Sequence, residues 1–403
     1  MSQKSINDFG LAASDVGLNM KPSKRLQKLP PYLFADLDRQ KARVRAMGKD
    51  IIDLSIGDPD LEPPHSLVEA LAAALHDRRV HRYPDYSGSL EFRKSAAQWL
   101  ARRHNAHLNP ENEVLALIGS KEGLAHLIFA IVNPGEVVLI PSPGYPAYSQ
   151  ATVLAGGVPH FLPVTEENHY IPVFDAIPKT VLKKTRILFL NYPNNPTSAV
   201  ASGKCFEAAL ALAREYGFVV CHDAAYLEIH SGTEHPMSIL EVPGAKDVAI
   251  EFHSFSKTFC VAGWRAGFAA GNANIVGTLG TFKQNMDSGL FTAIQKALVH
   301  AMEHLDDHID GICTIYSSRR NFLSHHLERM GFHVWHSDAS FYVWAEIPAK
   351  LPSIDFCKKL LEKTAVAATP GIGFGPHGEG FVRFSLTVST ERLEEAATRM
   401  AKL

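Results

Sequence analysis

The chain has 403 residues, of which 46% are hydrophobic, enough to bury a substantial core in two or three domains. Its 40 lysine and arginine residues nearly balance its 42 aspartate and glutamate residues, which gives a formal net charge of -2. This balance provides no electrostatic reason to expect nucleic acid or an anionic membrane surface as a partner. A globular protein that binds a small molecule or another protein is therefore expected.

The five cysteines are odd in number, widely spaced and mostly in apolar surroundings, which favours reduced thiols in a cytoplasmic protein. They show no metal-ligand spacing, and the scattered histidines lack carboxylates at ligand spacing, so we predict no metal site. The first residues, MSQKSINDFGLAASDVG, lack the basic start and continuous apolar stretch of a secretory signal. Since no later segment is apolar for long enough to span a bilayer, we expect a cytoplasmic location.

The first part of the chain predicts an arm, a short strand and three helices. Residues 1 to about 48 comprise a basic arm and a helical segment, ADLDRQKARVRAMG, that ends at Gly48. The segment DIIDLSIGDPDLEPP predicts a short strand and then a loop with a sharp turn at Gly57. The segments HSLVEALAAALHDRR and SLEFRKSAAQWLARRHN have helical patterns, and the polar, aromatic loop HRYPDYSG separates them.

From Glu113 to Gly271, apolar strands alternate with helices and with loops rich in Gly, Pro or Asn. Runs such as ILFL and FVVC are almost continuously apolar, as in a parallel sheet that helices cover on both faces. The pattern indicates an α/β domain. Ligands of such sheets bind beyond the carboxyl ends of the strands. Unusual polar residues occur at the corresponding positions here: Ser120, Lys121, Tyr145, Asn195, Asp223, Tyr226 and Lys257.

Beyond Gly271 the regular alternation of apolar strands and helices stops. A long helical region to about Gly331 precedes two predicted strands, SFYVWAEI and FVRFSLTV, a helix around SIDFCKKLLEK, and a final helix. This mixture predicts a smaller α+β domain. We expect residues 1-60 to form the arm and part of the small domain, residues 61-300 the large domain, and residues 301-403 the remainder of the small domain.

One lysine is a candidate catalytic residue. Lys257 lies between two apolar runs that we predict to be strands, with Ser254 and Ser256 before it and Arg265 after it. A lysine partly removed from water has a lowered pKa, so its amine can attack a carbonyl. For an isolated lysine, an ordinary surface position at a strand end is the more common case. Whether Lys257 is catalytic must therefore be judged from other residues.

Several of these residues match the parts of a phosphorylated pyridine cofactor. Asp223 closes the apolar strand FVVCHD, where a buried carboxylate needs a cationic partner such as the protonated ring nitrogen of pyridoxal phosphate. Its alternative role is the N-cap of a helix beginning in AAYLEI. Arg265, Ser254, Ser256 and the backbone amides of GSKEG could bind a dianionic phosphate, although GSKEG alone is equally a simple helix start.

Four further side chains have candidate roles, and three of them also have a purely structural alternative. Tyr145 in PSPGYPAY could lie over a flat cofactor or could simply pack. Asn195 in NYPNNPTS could donate to a phenolate oxygen or could form a turn before Pro196, and Tyr226 could donate to the same oxygen. Arg383, inside the apolar strand FVRFSL, needs an anion, which is either a substrate α-carboxylate or an internal salt-bridge partner.

The segments NNPT, HDAAY, SFSK, GWRAGF and FVRFSL occur in this order, and the chain from about Tyr32 onward resembles the fold type I pyridoxal phosphate enzymes of the class I/II aminotransferase family. The resemblance implies an aspartate aminotransferase-like α/β fold, with a mostly parallel sheet covered by helices and a smaller α+β domain. It also implies pyridoxal 5′-phosphate as cofactor, amino acids and 2-oxo acids as substrates, and a homodimer.

The same resemblance implies roles for individual residues. Lys257 would bind the cofactor covalently and shuttle the substrate proton, while Asp223 would pair with the ring nitrogen. The other positions implied for the cofactor are Tyr83, Ser120, Lys121, Tyr145, Asn195, Tyr226, Ser254, Ser256, Arg265 and Asn285. Tyr83 would reach the phosphate of the neighbouring subunit. The positions implied for the substrate are Tyr32, Gly57, Lys121, Tyr145, Asn195, Asn285 and Arg383, with Arg383 on the α-carboxylate and Asn285 acting across the dimer.

Within the family, segments such as IGDPDL, ALIGSKEGLAHL and EVPGAKDVAIEFHSFSKT are similar to the LL-diaminopimelate aminotransferase group. This implies amino transfer between LL-2,6-diaminopimelate and 2-oxoglutarate, with tetrahydrodipicolinate and glutamate as the other pair, in lysine biosynthesis. The alternatives with the same catalytic set are transamination of aspartate, alanine or aromatic amino acids, and β-elimination. A regulator on this fold would carry a DNA-binding domain, for which the arm before Tyr32 is too short.

Two positions depart from the family pattern. Ser198 follows NNPT where the family usually has glycine, which could shift that turn. Cys260 replaces a residue that is often polar after SKT. Neither change removes a predicted catalytic group, so we expect both to affect specificity more than activity.

Overall fold

The computed structural model describes residues 21–29, 33–232, 235–348 and 351–403. Along these residues the helices are α1 (Leu33–Ala46), α2 (His65–Ala74), α3 (Leu90–His104), α4 (Ser120–Ile131), α5 (Ala147–Ala155), α6 (Lys179–Leu182), α7 (Gly203–Tyr216), α8 (Phe255–Thr258), α9 (Ala273–Met286), α10 (Thr292–His304), α11 (Asp306–Arg329), α12 (Ser353–Thr364) and α13 (Thr390–Met400). The strands are β1 (Ile52–Asp53), β2 (Val114–Leu117), β3 (Val137–Ser142), β4 (Val158–Pro163), β5 (Thr185–Leu190), β6 (Val219–Asp223), β7 (Ala249–Ser254), β8 (Gly267–Gly271), β9 (His333–Trp335), β10 (Tyr342–Glu346), β11 (Val366–Ala367), β12 (Thr369–Pro370) and β13 (Phe381–Ser385).

A seven-stranded sheet with the order β2-β8-β7-β6-β5-β3-β4 forms the centre of the protein. Strands β7, β6, β5, β3 and β4 are parallel neighbours, whereas β8 runs antiparallel to both β2 and β7. Every residue of β3 and β7 is buried. The predicted α/β architecture is therefore confirmed, because strands that are buried along their whole length require a sheet covered on both faces.

Helices supply a separate hydrophobic cluster to each face of this sheet. On one face, Phe92 and Trp99 of α3 pack with Phe206 of α7. On the other face, Leu127 of α4 packs with Leu279 of α9 and with residues of α5. The two clusters hold the strands between them, so that the strand ends have fixed relative positions.

The C-terminal part has its own sheet and core. Strands β12, β13, β10 and β9 form a four-stranded antiparallel sheet, in that order. Leu323 of α11, Phe356 of α12 and Leu393 of α13 are buried in its core cluster. Strand β1 pairs in parallel with β11, so the N-terminal segment joins this α+β part, as expected from the sequence.

The fold brings the carboxyl ends of β2, β3, β5, β6 and β7 to one edge of the central sheet, where the antiparallel sheet faces them. The helical region after Gly271 is divided into α9, α10 and α11, and the last of these ends at Arg329. Within the described ranges, the structure contains no helix that combines the length and apolar character needed to cross a bilayer.

Candidate active site

A cavity of about 350 Å³ lies at the edge where these strands end. Residues predicted from the sequence supply much of its wall: Gly57, Ser120, Lys121, Tyr145, Asn195, Asp223, Tyr226, Ser254, Ser256, Lys257, Arg265 and Arg383. The other lining residues are Ser55, Ile56, Asn191, Ala225, Ala262 and Tyr342. The parallel strands thus gather residues from distant parts of the sequence at one place, as expected for a sheet of this type.

Lys257 lies in the short helix α8, directly after β7. Its Nζ donates a hydrogen bond to the carbonyl oxygen of Gly57 at 2.5 Å and lies 5.6 Å from the centre of the Phe341 ring. Burial lowers the pKa of Lys257 from 10.5 to about 8, Asp58 opposes the shift, and Arg383 adds to it. A substantial fraction of this amine is therefore neutral near pH 8, so it can act as a nucleophile or a base.

Asp223 is the last residue of β6, and only 4% of its surface is exposed. The Tyr148 hydroxyl donates to Oδ2 at 2.6 Å, and the Ala225 amide donates to Oδ1 at 3.3 Å. Burial raises the pKa of Asp223, whereas Tyr148 and the neighbouring His222 oppose this shift. The alternative role as a helix N-cap is wrong, because the residues after Asp223 form turns and no helix begins there.

Cationic and amide donors gather at one end of the cavity. Helix α4 begins at Ser120, after Gly119 with a φ of +82°, and its first residues face Arg265. A Cβ at Gly119 would lie 2.6 Å from Nη2 of Arg265, so a side chain at this position would displace the guanidinium. The hydroxyl residues Ser254 and Ser256 line the same cavity. A helix N-terminus, an arginine and two hydroxyls together suit a phosphate group.

Arg383 in β13 is 3% exposed and lies beside aromatic rings. Its Nη1 donates to Oδ1 of Asn195 and its Nη2 donates to the carbonyl oxygen of Ser55, each at 2.8 Å. The guanidinium carbon is 4.2 Å from the centre of the Tyr342 ring and 4.8 Å from that of Phe374. The Nε atom has no hydrogen-bond partner among the described residues.

The partners of Arg383 are neutral oxygens, and it forms no ion pair with a carboxylate of the described part of the chain. The internal salt bridge considered from the sequence is therefore absent there. A buried guanidinium without a counter-ion favours an anion that enters the cavity from outside. Because Oδ1 of Asn195 accepts from Arg383, the amide nitrogen of Asn195 remains available to donate into the cavity.

Two tyrosines complete the wall. The Tyr226 hydroxyl is 2.7 Å from the Tyr342 hydroxyl, and both residues are buried. Tyr145 lines the cavity and contacts Tyr148 edge to face, with 5.5 Å between ring centres. The ring of Tyr145 is thus held by a tyrosine that also binds Asp223, which places an aromatic surface near the buried carboxylate.

Two predicted residues do not reach this cavity, and a third cannot be placed. Tyr83 is 93% exposed, and the exposed Asn285 donates to the carbonyl oxygen of Thr281 within its own helix. Tyr32 lies outside the described residues. Within one chain, therefore, Tyr83 and Asn285 are surface residues rather than members of the site.

Ser198 has a φ of +63°, which explains why glycine suits this position. Its hydroxyl lies 2.5 Å from the Ser340 hydroxyl and donates to the carbonyl oxygen of Tyr342 at 3.0 Å. These bonds join the turn after Asn195 to the antiparallel sheet. Cys260 also has a positive φ of +56°, and burial raises the pKa of its thiol to about 12, so the thiol stays protonated at neutral pH.

Sequence reasoning missed Tyr148 and Tyr342. Tyr148 lies in α5, three residues after Tyr145, so helical spacing could have placed the two on one face. Tyr342 begins β10, where its partner across the sheet is Ser385 and where Trp344 is paired with Arg383. Diagonal neighbours on one sheet face are within reach of aromatic side chains, but only a known register reveals them.

The donor set fits pyridoxal phosphate. Residues that suit a phosphate line the cavity, a buried carboxylate that needs a cation is part of the same wall, and the lysine amine follows β7. The hydrogen-bond partners of Arg383 are neutral, and its Nε has none among the described residues. The positive charge of Arg383 could therefore bind a substrate carboxylate. A phosphate, a protonated ring nitrogen and a substrate α-carboxylate could thus each have a partner of opposite charge in this cavity.

Comparison with known proteins gives the same result. The family model described as aminotransferase class I and II matches residues 49–400. The chain is 47% identical to the LL-diaminopimelate aminotransferase of Aquifex aeolicus over 381 residues, which cover 94% of this chain and 98% of that protein. It is 48% identical to the LL-diaminopimelate aminotransferase of Syntrophobacter fumaroxidans, with 94% and 98% covered.

A solved structure described as substrate-bound BacF from Bacillus subtilis has a TM-score of 0.92 and 37% identity to this chain. The match covers 96% of this chain and 98% of that one, so it includes both the central sheet and the antiparallel sheet. The chain therefore belongs to the class I and II aminotransferase family of pyridoxal phosphate-dependent enzymes and has its aspartate aminotransferase-like fold.

Proposed function

We propose that this enzyme transfers an amino group between LL-2,6-diaminopimelate and 2-oxoglutarate, with tetrahydrodipicolinate and glutamate as the other pair. The main support is the 47–48% identity, over 94% of the chain, to relatives named LL-diaminopimelate aminotransferase. The alternative substrates aspartate, alanine and aromatic amino acids, and the alternative β-elimination, need the same catalytic groups, so the shared groups do not separate them. The identity to these relatives favours the diamino substrate.

Pyridoxal phosphate, when bound, supplies an aldehyde that binds amines covalently and a protonated ring that withdraws electrons. Lys257 would hold the cofactor and, as a base with a pKa of about 8, would take a proton from the substrate α-carbon and return it. Asp223 would keep the ring nitrogen protonated. Burial disfavours the Asp223 carboxylate unless a cation lies beside it, so binding a cationic ring would relieve that cost.

The remaining wall residues would orient the cofactor and the substrate. Asn195 and Tyr226 would donate to the ring oxygen, and Tyr145 would stack on the ring. The residues proposed for the phosphate are Ser120, Lys121, Ser254, Ser256 and Arg265. Arg383 would bind the α-carboxylate. A side chain at Gly57 would lie 2.0 Å from the Tyr342 hydroxyl, so only backbone can border the site at this point.

We also propose a homodimer in which Tyr83 and Asn285 act at the site of the other subunit. Tyr83 is 93% exposed, Tyr86 50% and Met286 63%, so these large side chains are available to a partner subunit. The two segments that carry them are adjacent, because a Cβ at Gly289 would lie 2.1 Å from the carbonyl oxygen of Asp85. Tyr32, which precedes α1, is expected to contact substrate, and we extend the proposal to it.

Two further proposals concern the cellular location and the domain boundaries. The five free cysteines suit a reducing compartment, so we place the enzyme in the cytoplasm. We also keep the division into residues 1-60, 61-300 and 301-403. The pairing of β1 with β11 supports the assignment of the first segment to the small domain.

The substrate is tested with a donor panel of LL-diaminopimelate, meso-diaminopimelate, aspartate and alanine, each with 2-oxoglutarate and purified enzyme. We expect the LL isomer to give the highest kcat/KM and Lys257→Ala to give no turnover with any donor. Turnover of aspartate without turnover of the LL isomer would exclude the diaminopimelate assignment and leave the aminotransferase intact. A wild-type protein that acquires no visible absorption with pyridoxal phosphate would contradict cofactor binding at Lys257.

A further inference from the structure

Tyr342 contacts three parts of the proposed site, although no motif pointed to it. Its side chain is 2% exposed and lines the cavity. Its hydroxyl is 2.7 Å from that of Tyr226, and its ring lies against the guanidinium of Arg383. Its hydroxyl also fills the space beside Gly57, whose carbonyl oxygen accepts the hydrogen bond of Lys257.

The ring and the hydroxyl of Tyr342 have separate neighbours. The ring face is 4.2 Å from the guanidinium carbon of Arg383, and Phe374 contributes a second ring at 4.8 Å. Cation–π contacts of this kind orient a guanidinium that is removed from water. The carbonyl oxygen of Tyr342 is tied to the Ser198 hydroxyl at 3.0 Å, so the residue is also anchored to the loop that carries Asn195.

The hydrogen bond between the Tyr226 and Tyr342 hydroxyls determines which of the two can donate to a third group. Tyr226 has a single O–H, so while the two hydroxyls stay hydrogen-bonded it can donate to a cofactor only when Tyr342 is the donor of the pair. A phenol whose oxygen accepts a hydrogen bond is polarised and becomes a stronger donor itself. Burial raises the pKa of both tyrosines, so both hydroxyls keep their protons at neutral pH and both can donate.

We propose that Tyr342 is a positioning residue that directs the Tyr226 hydroxyl toward the ring oxygen of the cofactor, while its ring aligns Arg383 for the substrate carboxylate. The inference rests on the proposed cofactor site but not on the identity of the amino donor. It predicts that the two functions can be separated, because the hydroxyl serves Tyr226 and the ring serves Arg383.

The test uses the full-length enzyme loaded with pyridoxal phosphate and compares Tyr342→Phe with Phe374→Leu. Two quantities are measured: the pH midpoint of the visible absorption of bound cofactor, and the Kd of glutarate, a non-reacting dicarboxylate, from its effect on that absorption. Donation to the ring oxygen stabilises the deprotonated form of the bound cofactor, which carries more negative charge there. Weaker donation should therefore raise the midpoint.

For Tyr342→Phe we expect the midpoint to rise by about 0.5 pH unit, from the loss of one hydrogen bond, while the Kd of glutarate stays within about twofold. For Phe374→Leu we expect an unchanged midpoint and a Kd about fivefold weaker, because one of the two rings beside Arg383 is lost. Thermal unfolding of both cofactor-free variants serves as the check that they fold.

A second comparison places Tyr342→Phe in a Tyr226→Phe background, where the shift should vanish because the residue through which it acts has lost its hydroxyl. An unchanged midpoint in folded Tyr342→Phe, or an equal shift in the Tyr226→Phe background, would overturn the inference. So would a midpoint shift in Phe374→Leu as large as that in Tyr342→Phe. A wild-type enzyme without a titrating visible band would instead refute the proposed cofactor site itself.

Discussion

Replacing Lys257 by methionine should stabilise the cofactor-free protein. Lys257 lines the cavity, and burial lowers its pKa from 10.5 to about 8. This change corresponds to about 3 kcal/mol of free energy that disfavours the ammonium in the folded state. Methionine has a similar length and no charge, so it removes this cost and loses only the hydrogen bond to Gly57, worth about 1 kcal/mol.

The direction of the pH dependence follows from linkage. Between about pH 8 and pH 10.5 the unfolded chain holds the Lys257 proton and the folded chain does not, so the wild-type protein gains stability as the pH rises. Below about pH 8 both states hold the proton and the cost is constant. Lys257→Met should therefore be more stable than wild type by about 2 kcal/mol at pH 7, and this advantage should disappear above about pH 10.

Urea unfolding of the cofactor-free wild type and variant, at pH 7 and at pH 10, measures this difference directly. Lys204→Met is the matched control, because Lys204 is exposed and its ammonium stays hydrated in both states. We expect the control to show no difference that depends on pH. A Lys257→Met protein that is less stable than wild type at pH 7, or whose advantage is equal at both pH values, would refute the desolvation argument.

Three other changes test other parts of the site. Asp223→Asn keeps the shape of the carboxylate but removes its charge, so we expect kcat to fall by about 100-fold at saturating cofactor, and near-normal kcat would contradict the pairing with the ring nitrogen. Ser198→Ala keeps the φ of +63° but loses the hydrogen bond to Ser340, so the free energy of unfolding in urea should fall by about 2 kcal/mol. Ser198→Gly loses the same bond but relieves the backbone strain, so its free energy of unfolding should fall by only about 1 kcal/mol. Equal losses in the two variants would contradict this explanation. Glu251→Gln removes the buried anion bound to His222 and should lower the free energy of unfolding by about 3 kcal/mol, whereas a loss under about 1 kcal/mol would mean that the network is not charged.

The sequence predicted the central sheet because its strands carry an unmistakable local signal. The runs ILFL and FVVC became parts of β5 and β6, and the polar residues after them line the cavity. The antiparallel direction of β8 between β2 and β7 was not predicted. Its short run of small residues, GFAAG, has the same composition in either direction, and only the packing of neighbouring strands decides the orientation.

The charged residues of the site were predicted, whereas two of their aromatic neighbours, Tyr148 and Tyr342, were not. Lys257, Asp223 and Arg383 are conspicuous within apolar segments, where an ionised side chain requires a partner. Tyr342, by contrast, occurs in SFYVWAEI, where one more aromatic residue indicates only core packing. Its contact with Tyr226 joins residues 116 positions apart, and such pairs depend on how two sheets pack. Local sequence patterns contain no information about that distance.

Burial in the cavity favours the neutral form of two groups, because it lowers the pKa of Lys257 and raises that of Asp223. In the neighbouring strand β7, Glu251 accepts hydrogen bonds from His222 at 2.7 Å and from His253 at 2.8 Å. Both imidazoles lower the pKa of Asp223 against the effect of burial. Arg383 and Arg265 lower the pKa of Lys257 further, which favours the neutral form of its amine. Burial prevails at both groups, so a cationic ring beside Asp223 would stabilise its carboxylate, and the neutral fraction of Lys257 can accept a proton.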